Sequence, residues 1–122
     1  MKELFVPYNL ALELKNLGFN EKCLATIDQI EYVHINSTKQ PIRGAMTYDT
    51  IKAPLYEQVL DWFEKQHGLY SIIRIGYGDP KWYDYLIQNG RESWSEEEIS
   101  YNTSREVRIA CIEKLIEIAK NS

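Results

Sequence analysis

Between Tyr70 and Gln88 the chain carries two runs of strand-forming residues on either side of Gly78-Asp79-Pro80, and this pairing most narrows the folds open to it. In the first run, Tyr70 to Tyr77, alternation places Ser71, Ile73 and Ile75 on one face and Tyr70, Ile72 and Arg74 on the other. Both faces are partly apolar, which is the pattern of a central strand. Glycine admits positive φ, proline presets its own φ, and Asp bonds nearby backbone, so Gly78-Asp79-Pro80 is turn chemistry. Lys81 to Gln88 forms the second run, closed by the turn pair Asn89-Gly90, and the two runs predict a hairpin.

Three helical patterns surround it. The first runs over 9–17, with Asn9 as N-cap, Leu10, Leu14 and Leu17 on one stripe and Gly18 as the stop. The second has Pro54 in its first turn, Leu55, Val59, Trp62 and Phe63 on one stripe, and Gly68 at its end. The third starts at Thr103, where Thr103 and Glu106 have capping-box spacing. Its charges, Arg108, Glu113, Lys114, Glu117 and Lys120, make only a narrow solvated face, so it should be largely buried. Cys23–Ile27 and Ile30–Ile35, parted by Asp28-Gln29, read as two short strands or one bent strand. Residues 36–52 turn polar, with Pro41 and Gly44 as breakers, and form a long connection of the functional or mobile kind. Ser95 and Glu98 suit a single helical turn, and Glu96-Glu97-Glu98 most simply solvates a loop.

The resulting order is α-β-β-α-β-β-α without an internal repeat. It predicts one α+β domain over 1–122, a three- to four-stranded, mainly antiparallel sheet with helices packed on one face. The other face would expose parts of Tyr70, Ile72, Arg74, Trp82, Tyr83 and Tyr85 unless helix 9–17 covers it. Left without a helix, such a face predicts a homodimer.

Charge and cysteine usage exclude several classes. Fourteen Lys and Arg against eighteen Asp and Glu give a net charge of −4, the wrong sign for duplex nucleic acid. No apolar run approaches the roughly 18 residues of a membrane span, and the start lacks a signal-peptide core, so the chain reads as cytoplasmic. Cys23 and Cys111 sit among apolar residues at no metal-ligand spacing and read as buried, reduced thiols. Gly76-Tyr-Gly78 lacks the third glycine and the following helix of a nucleotide loop. His34 and His67 are far apart, with no His or Cys close by. The sequence therefore assigns no catalytic residue, no metal site and no cofactor. An enzyme would require a fold that brings His34 or His67 to a carboxylate.

Aromatics are the one excess: nine Tyr, three Trp and three Phe. Tyr77, Trp82, Tyr83 and Tyr85 cluster in the hairpin, with Arg74, Lys81 and Arg91 close by and Asp79 and Asp84 flanking. Tyr and Trp favour places with one apolar and one wet end, which covers both core edges and binding platforms. The candidate binding residues are Arg74, Tyr77, Lys81, Trp82, Tyr83 and Tyr85.

Three segments carry a resemblance: Leu12 to Cys23, Ala53 to Lys65 and Ala110 to Lys120. In these the chain resembles a group of small uncharacterised proteins of Bacteroidetes phages, prophages and mobile elements. The resemblance implies a compact α+β accessory protein of the bacterial cytoplasm, and it supplies no catalytic residues. The leading functional expectation is a non-enzymatic binding or interaction module acting on a host or phage protein. The alternative is a small-ligand or nucleotide binder, a counter-defence sequestering protein that uses the hairpin over 74–85.

Overall fold

The computed structural model describes residues 2–35, 50–95 and 100–121. The fold is α+β with antiparallel sheets, as the sequence predicts. Among the described residues the strands form two three-stranded sheets, where the sequence reading assembles one of three or four. The expected span 1–122 carries two compact units, Met1–Leu55 and Tyr56–Ser122, each with its own sheet.

The first unit opens with a 3₁₀ turn at Lys2–Leu4, then α1 (Tyr8–Asn16), β1 (Ala25–Asp28), β2 (Val33–Ile35) and β3 (Thr50–Ala53). Two corrections fall here. Asn9 is an exposed residue inside α1, and the N-cap is Pro7, whose fixed φ leads into the helix without a side-chain hydrogen bond. The cap is supplied from elsewhere: the Glu31 carboxylate accepts the Tyr8 N–H at 3.1 Å. Second, the polar connection ends before residue 50, because Thr50–Ala53 is a strand; residues 36–49 lie outside the described residues. Cys23–Ile35 resolves into two short strands, with β1 in the centre of the order β2-β1-β3. Ala25, Ile27, Ile51 and Ala53 are buried on one face, and α1, which packs on β3, buries Leu10, Ala11 and Leu14.

The second unit runs α2 (Tyr56–His67), β4 (Tyr70–Gly76), β5 (Trp82–Asn89), β6 (Glu92–Ser95) and α3 (Ser104–Lys120). The predicted hairpin forms, with Tyr70 opposite Gln88 and Gly76 opposite Trp82. Asn89-Gly90 also turns the chain, Gly90 at φ +56, into a third strand that the sequence reading does not assign; it ends at Ser95, and the rest of the helical turn expected over 95–98 lies outside the described residues. The strand order is β4-β5-β6, so β4, expected as a central strand, is an edge and β5 is the centre. Glu96–Glu98 lie outside the described residues.

Both helices contact the sheet and each other. Tyr56, Val59, Trp62 and Phe63 are buried from α2, and Val107, Cys111, Ile112, Leu115 and Ile116 from α3. Only Glu106, Glu113, Glu117 and Lys120 of α3 are exposed, the narrow face expected. Both cysteines are buried and neither is in a disulfide, and no helix among the described residues is long and apolar enough to cross a membrane.

The Thr103 hydroxyl oxygen accepts the Glu106 N–H at 3.1 Å, as the capping-box spacing predicts. A side-chain acceptor here satisfies a donor that the first helical turn leaves without a partner. Thr103→Ala is expected to lower stability by about 1 kcal/mol in urea unfolding, and Thr103→Asp to preserve it.

Candidate functional site

The parity of β5 decides where each hairpin aromatic goes. Tyr85 and Ile87 are buried on the face that α3 contacts, and Tyr83 shares that face half-buried. Trp82, Asp84, Leu86 and Gln88 point the other way, beside Gly76, Arg74, Ile72 and Tyr70 of β4. Among the described residues no helix lies on this second face: Tyr70 and Ile72 are each 53% exposed and Trp82 41%.

The six sequence candidates are therefore divided. Arg74 and Trp82 lie together on the open face. Tyr77, 89% exposed, and Lys81 stand in the turn beside them. Tyr83 is tied by its backbone to Tyr101, each N–H donating to the other's carbonyl at 2.9 Å. Tyr85, only 1% exposed, is a core residue and leaves the candidate list. Tyr70 and Ile72 join Trp82 on the same surface, and the alternation of β4 is the signal that finds them.

Two local arrangements set the character of this face. Arg74 and Asp84 are cross-strand partners in a two-pronged ion pair, Nε donating to Oδ1 at 2.7 Å and Nη2 to Oδ2 at 2.9 Å. The guanidinium is thus held flat and its charge matched, so the hairpin is less basic than composition suggests. Beside it, the Trp82 indole lies over the α-carbon of Gly76. A β-carbon there would sit 1.7 Å from Trp82 Cε2, too close for any real contact. Glycine lets the indole cover the strand, which keeps the ring seated on the surface and not standing free.

A separate polar cluster sits in the first unit. Asp28, 1% exposed, accepts the N–H groups of Ile30 and Tyr32 on Oδ1, both at 3.0 Å, and its Oδ2 lies 3.2 Å from His34 Nε2. The fold thus brings His34 to a carboxylate. Burial resists the negative charge on Asp28, but the Tyr32 N–H, the His34 side chain and the Ile30 N–H together outweigh it and hold the carboxyl below its ordinary value. The Tyr32 ring leans on His34, centroids 4.8 Å apart. With the Asp28 carboxylate occupied in closing the β1–β2 turn, the cluster's evident work is structural.

His67 packs instead edge-on to Trp62 and tilted against Phe63, with ring centroids 5.0 and 5.5 Å apart. Cys111 is fully buried, and burial pushes its thiol up to about 12, against the pull of a hydrogen bond with Ser71, which disfavours the thiolate. An open groove of about 390 Å³ between β6 and the end of α3, lined by Glu92, Trp94, Lys114 and Glu117 among others, contains none of the sequence candidates. No group of three or more His, Cys, Asp or Glu is arranged to hold a metal among the described residues. Comparison with protein-family models, curated proteins and solved structures finds no match.

Two outcomes are expected. Gly76→Ala displaces the indole, shifts Trp82 emission to the red and costs about 1–3 kcal/mol in urea unfolding. Unchanged emission and stability would contradict the seating of the ring. The depressed Asp28 carboxyl stabilises the fold fully above the unfolded-state value of about 3.9, and that share is lost as pH falls through the lower folded-state value. Urea unfolding over a pH series should therefore show Asp28→Asn losing less stability below about pH 4 than the wild type.

Proposed function

We propose that the chain is a non-enzymatic protein-binding module whose contact surface is the open face of β4 and β5. The observation that carries this reading is the grouping of Tyr70, Ile72 and Trp82 on one sheet face that no helix among the described residues covers, each 41–53% exposed. Solvent-facing apolar side chains are ordinary one at a time, but a contiguous group centred on an aromatic marks a contact surface. The matched Arg74–Asp84 pair supports it further, since a compensated charge at the centre costs less to cover than a lone guanidinium. In keeping with the resemblance, the proposed setting is the bacterial cytoplasm, and the partner a host or phage protein.

The nucleotide reading draws on Lys81 and Tyr77, both exposed beside Trp82. It is the weaker of the two, because Arg74, the phosphate-binding candidate on the strand itself, is already engaged by Asp84.

The test places a photo-crosslinking residue at Ile72 and, as a control, at Glu113 on the exposed side of α3, in cells of a bacterial host. Discrete adducts from position 72 that disappear with Trp82→Ala are expected, with none from position 113. Adducts that are equal at both positions, or that ignore Trp82→Ala, would overturn the reading. A thermal-shift panel of nucleotides settles the alternative, since a ligand at a hundred times its Kd adds about 2.7 kcal/mol. A shift abolished by Lys81→Ala would replace the protein-binding reading with the nucleotide one.

A further inference from the structure

β4 forms an edge of its sheet, and the ladder shows which of its backbone groups face outward. Tyr83 exchanges backbone hydrogen bonds with Tyr101 on the side of β5 away from β4. Successive residues of a strand direct their N–H and C=O to opposite sides. Trp82, Asp84, Leu86 and Gln88 therefore bond towards β4, and their partners Gly76, Arg74, Ile72 and Tyr70 bond back. The N–H and C=O groups of Ser71, Ile73 and Ile75 then point away from the sheet. Among the described residues none of these groups has a backbone partner across that edge.

Proteins protect such edges with lysines, prolines, bulges or short strands. β4 has none of these: it is seven residues long, pairs with β5 without interruption, and contains no proline. Its single charge, on Arg74, is matched by Asp84. Ile75 beside the edge is 49% exposed.

We infer that β4 is a homodimerisation strand: two copies of the chain join β4 to β4, antiparallel, about a two-fold axis at Ile73, making one six-stranded sheet. The strand is complementary to itself in that register. Ile73 faces Ile73 and Ser71 faces Ile75, so the three residues with outward backbone groups meet the same three of the second copy as hydrogen-bonded pairs. On the open face, Tyr70 falls opposite Gly76 of the second copy, the one position without a side chain. The Tyr70 ring then lies beside the Trp82 indole that covers that glycine. Ile72 falls opposite Arg74, whose charge Asp84 already compensates, so two chains of net charge −4 meet here without a like-charge contact. A peptide of other sequence would satisfy the same backbone groups, but it would lack this match of Tyr70 to glycine on both flanks. The inference rests on the backbone edge and not on the proposed protein-binding face, although the dimer brings Tyr70 and Trp82 of that face side by side across its seam.

The test uses the whole chain. Light scattering over a concentration series should show the mass rising to twice the 14.4 kDa of one chain. Over the same series, amide exchange at Ser71, Ile73 and Ile75 should slow, while Ile72 and Arg74, bonded to β5, remain protected throughout. Ile75→Pro removes only an outward N–H, the place where an edge strand tolerates proline. It should weaken the dimer at least about tenfold, the loss of two backbone hydrogen bonds, one from each copy, at a desolvated interface. Ile75→Lys places a charge at the same edge, should weaken the dimer likewise, and carries the test if circular dichroism shows the proline variant unfolded. A mass of one chain at every concentration overturns the inference, as does a dimer that survives in folded Ile75→Lys or leaves exchange at Ile73 unchanged.

Discussion

β5 is bonded along one flank to β4 and along the other to β6 and Tyr101, so none of its eight residues turns over without breaking ladders on both sides. This rigid parity sets the second unit. Tyr85 and Ile87 must face α3, which leaves Trp82, Asp84, Leu86 and Gln88 for the opposite face. Register then transfers the same division to β4, pairing Arg74 with Asp84 and Gly76 with Trp82. The ion pair, the seated indole and the grouping of Tyr70 with Ile72 all descend from one strand's inability to slip by a residue.

Much of this was legible, and the exceptions have physical causes. The Tyr70–Gln88 hairpin, the Thr103 cap and the three helices stand in the sequence because each rests on local chemistry: alternation, a capping side chain, an apolar stripe. β3 and β6 do not. Thr50–Ala53 is four residues long beside Pro54, and Glu92–Ser95 contains two serines and one aromatic. Their strand state comes from the neighbours that bond them, β1 and β5, and tertiary pairing overrides weak propensity. The edge position of β4 has the same source, since two partly apolar faces describe a buried strand and an edge strand with an open apolar face equally well.

The candidate site was half legible. Placing Trp82, Tyr83 and Tyr85 together ignored parity, although the signal was present: Asp84 shares a face with Trp82, and a carboxylate belongs on the wet side. The Asp28–His34 contact had no such signal. Its six-residue separation acquires meaning only when β1 and β2 fold back on each other and the turn between them closes around the carboxylate.

That turn has an effect on the helix before it. Glu31 adopts φ 65, a left-handed backbone that costs a residue other than glycine roughly 1–2 kcal/mol, yet from there its carboxylate reaches the Tyr8 N–H across 23 positions of sequence. Pro7 offers α1 no side-chain cap of its own. The first turn of the N-terminal helix is thus completed by a residue synthesised long after it. Closure of the β1–β2 hairpin therefore does more than pair two strands: it also supplies an acceptor to the first turn of α1, beside the packing of Leu10, Ala11 and Leu14 that holds the helix.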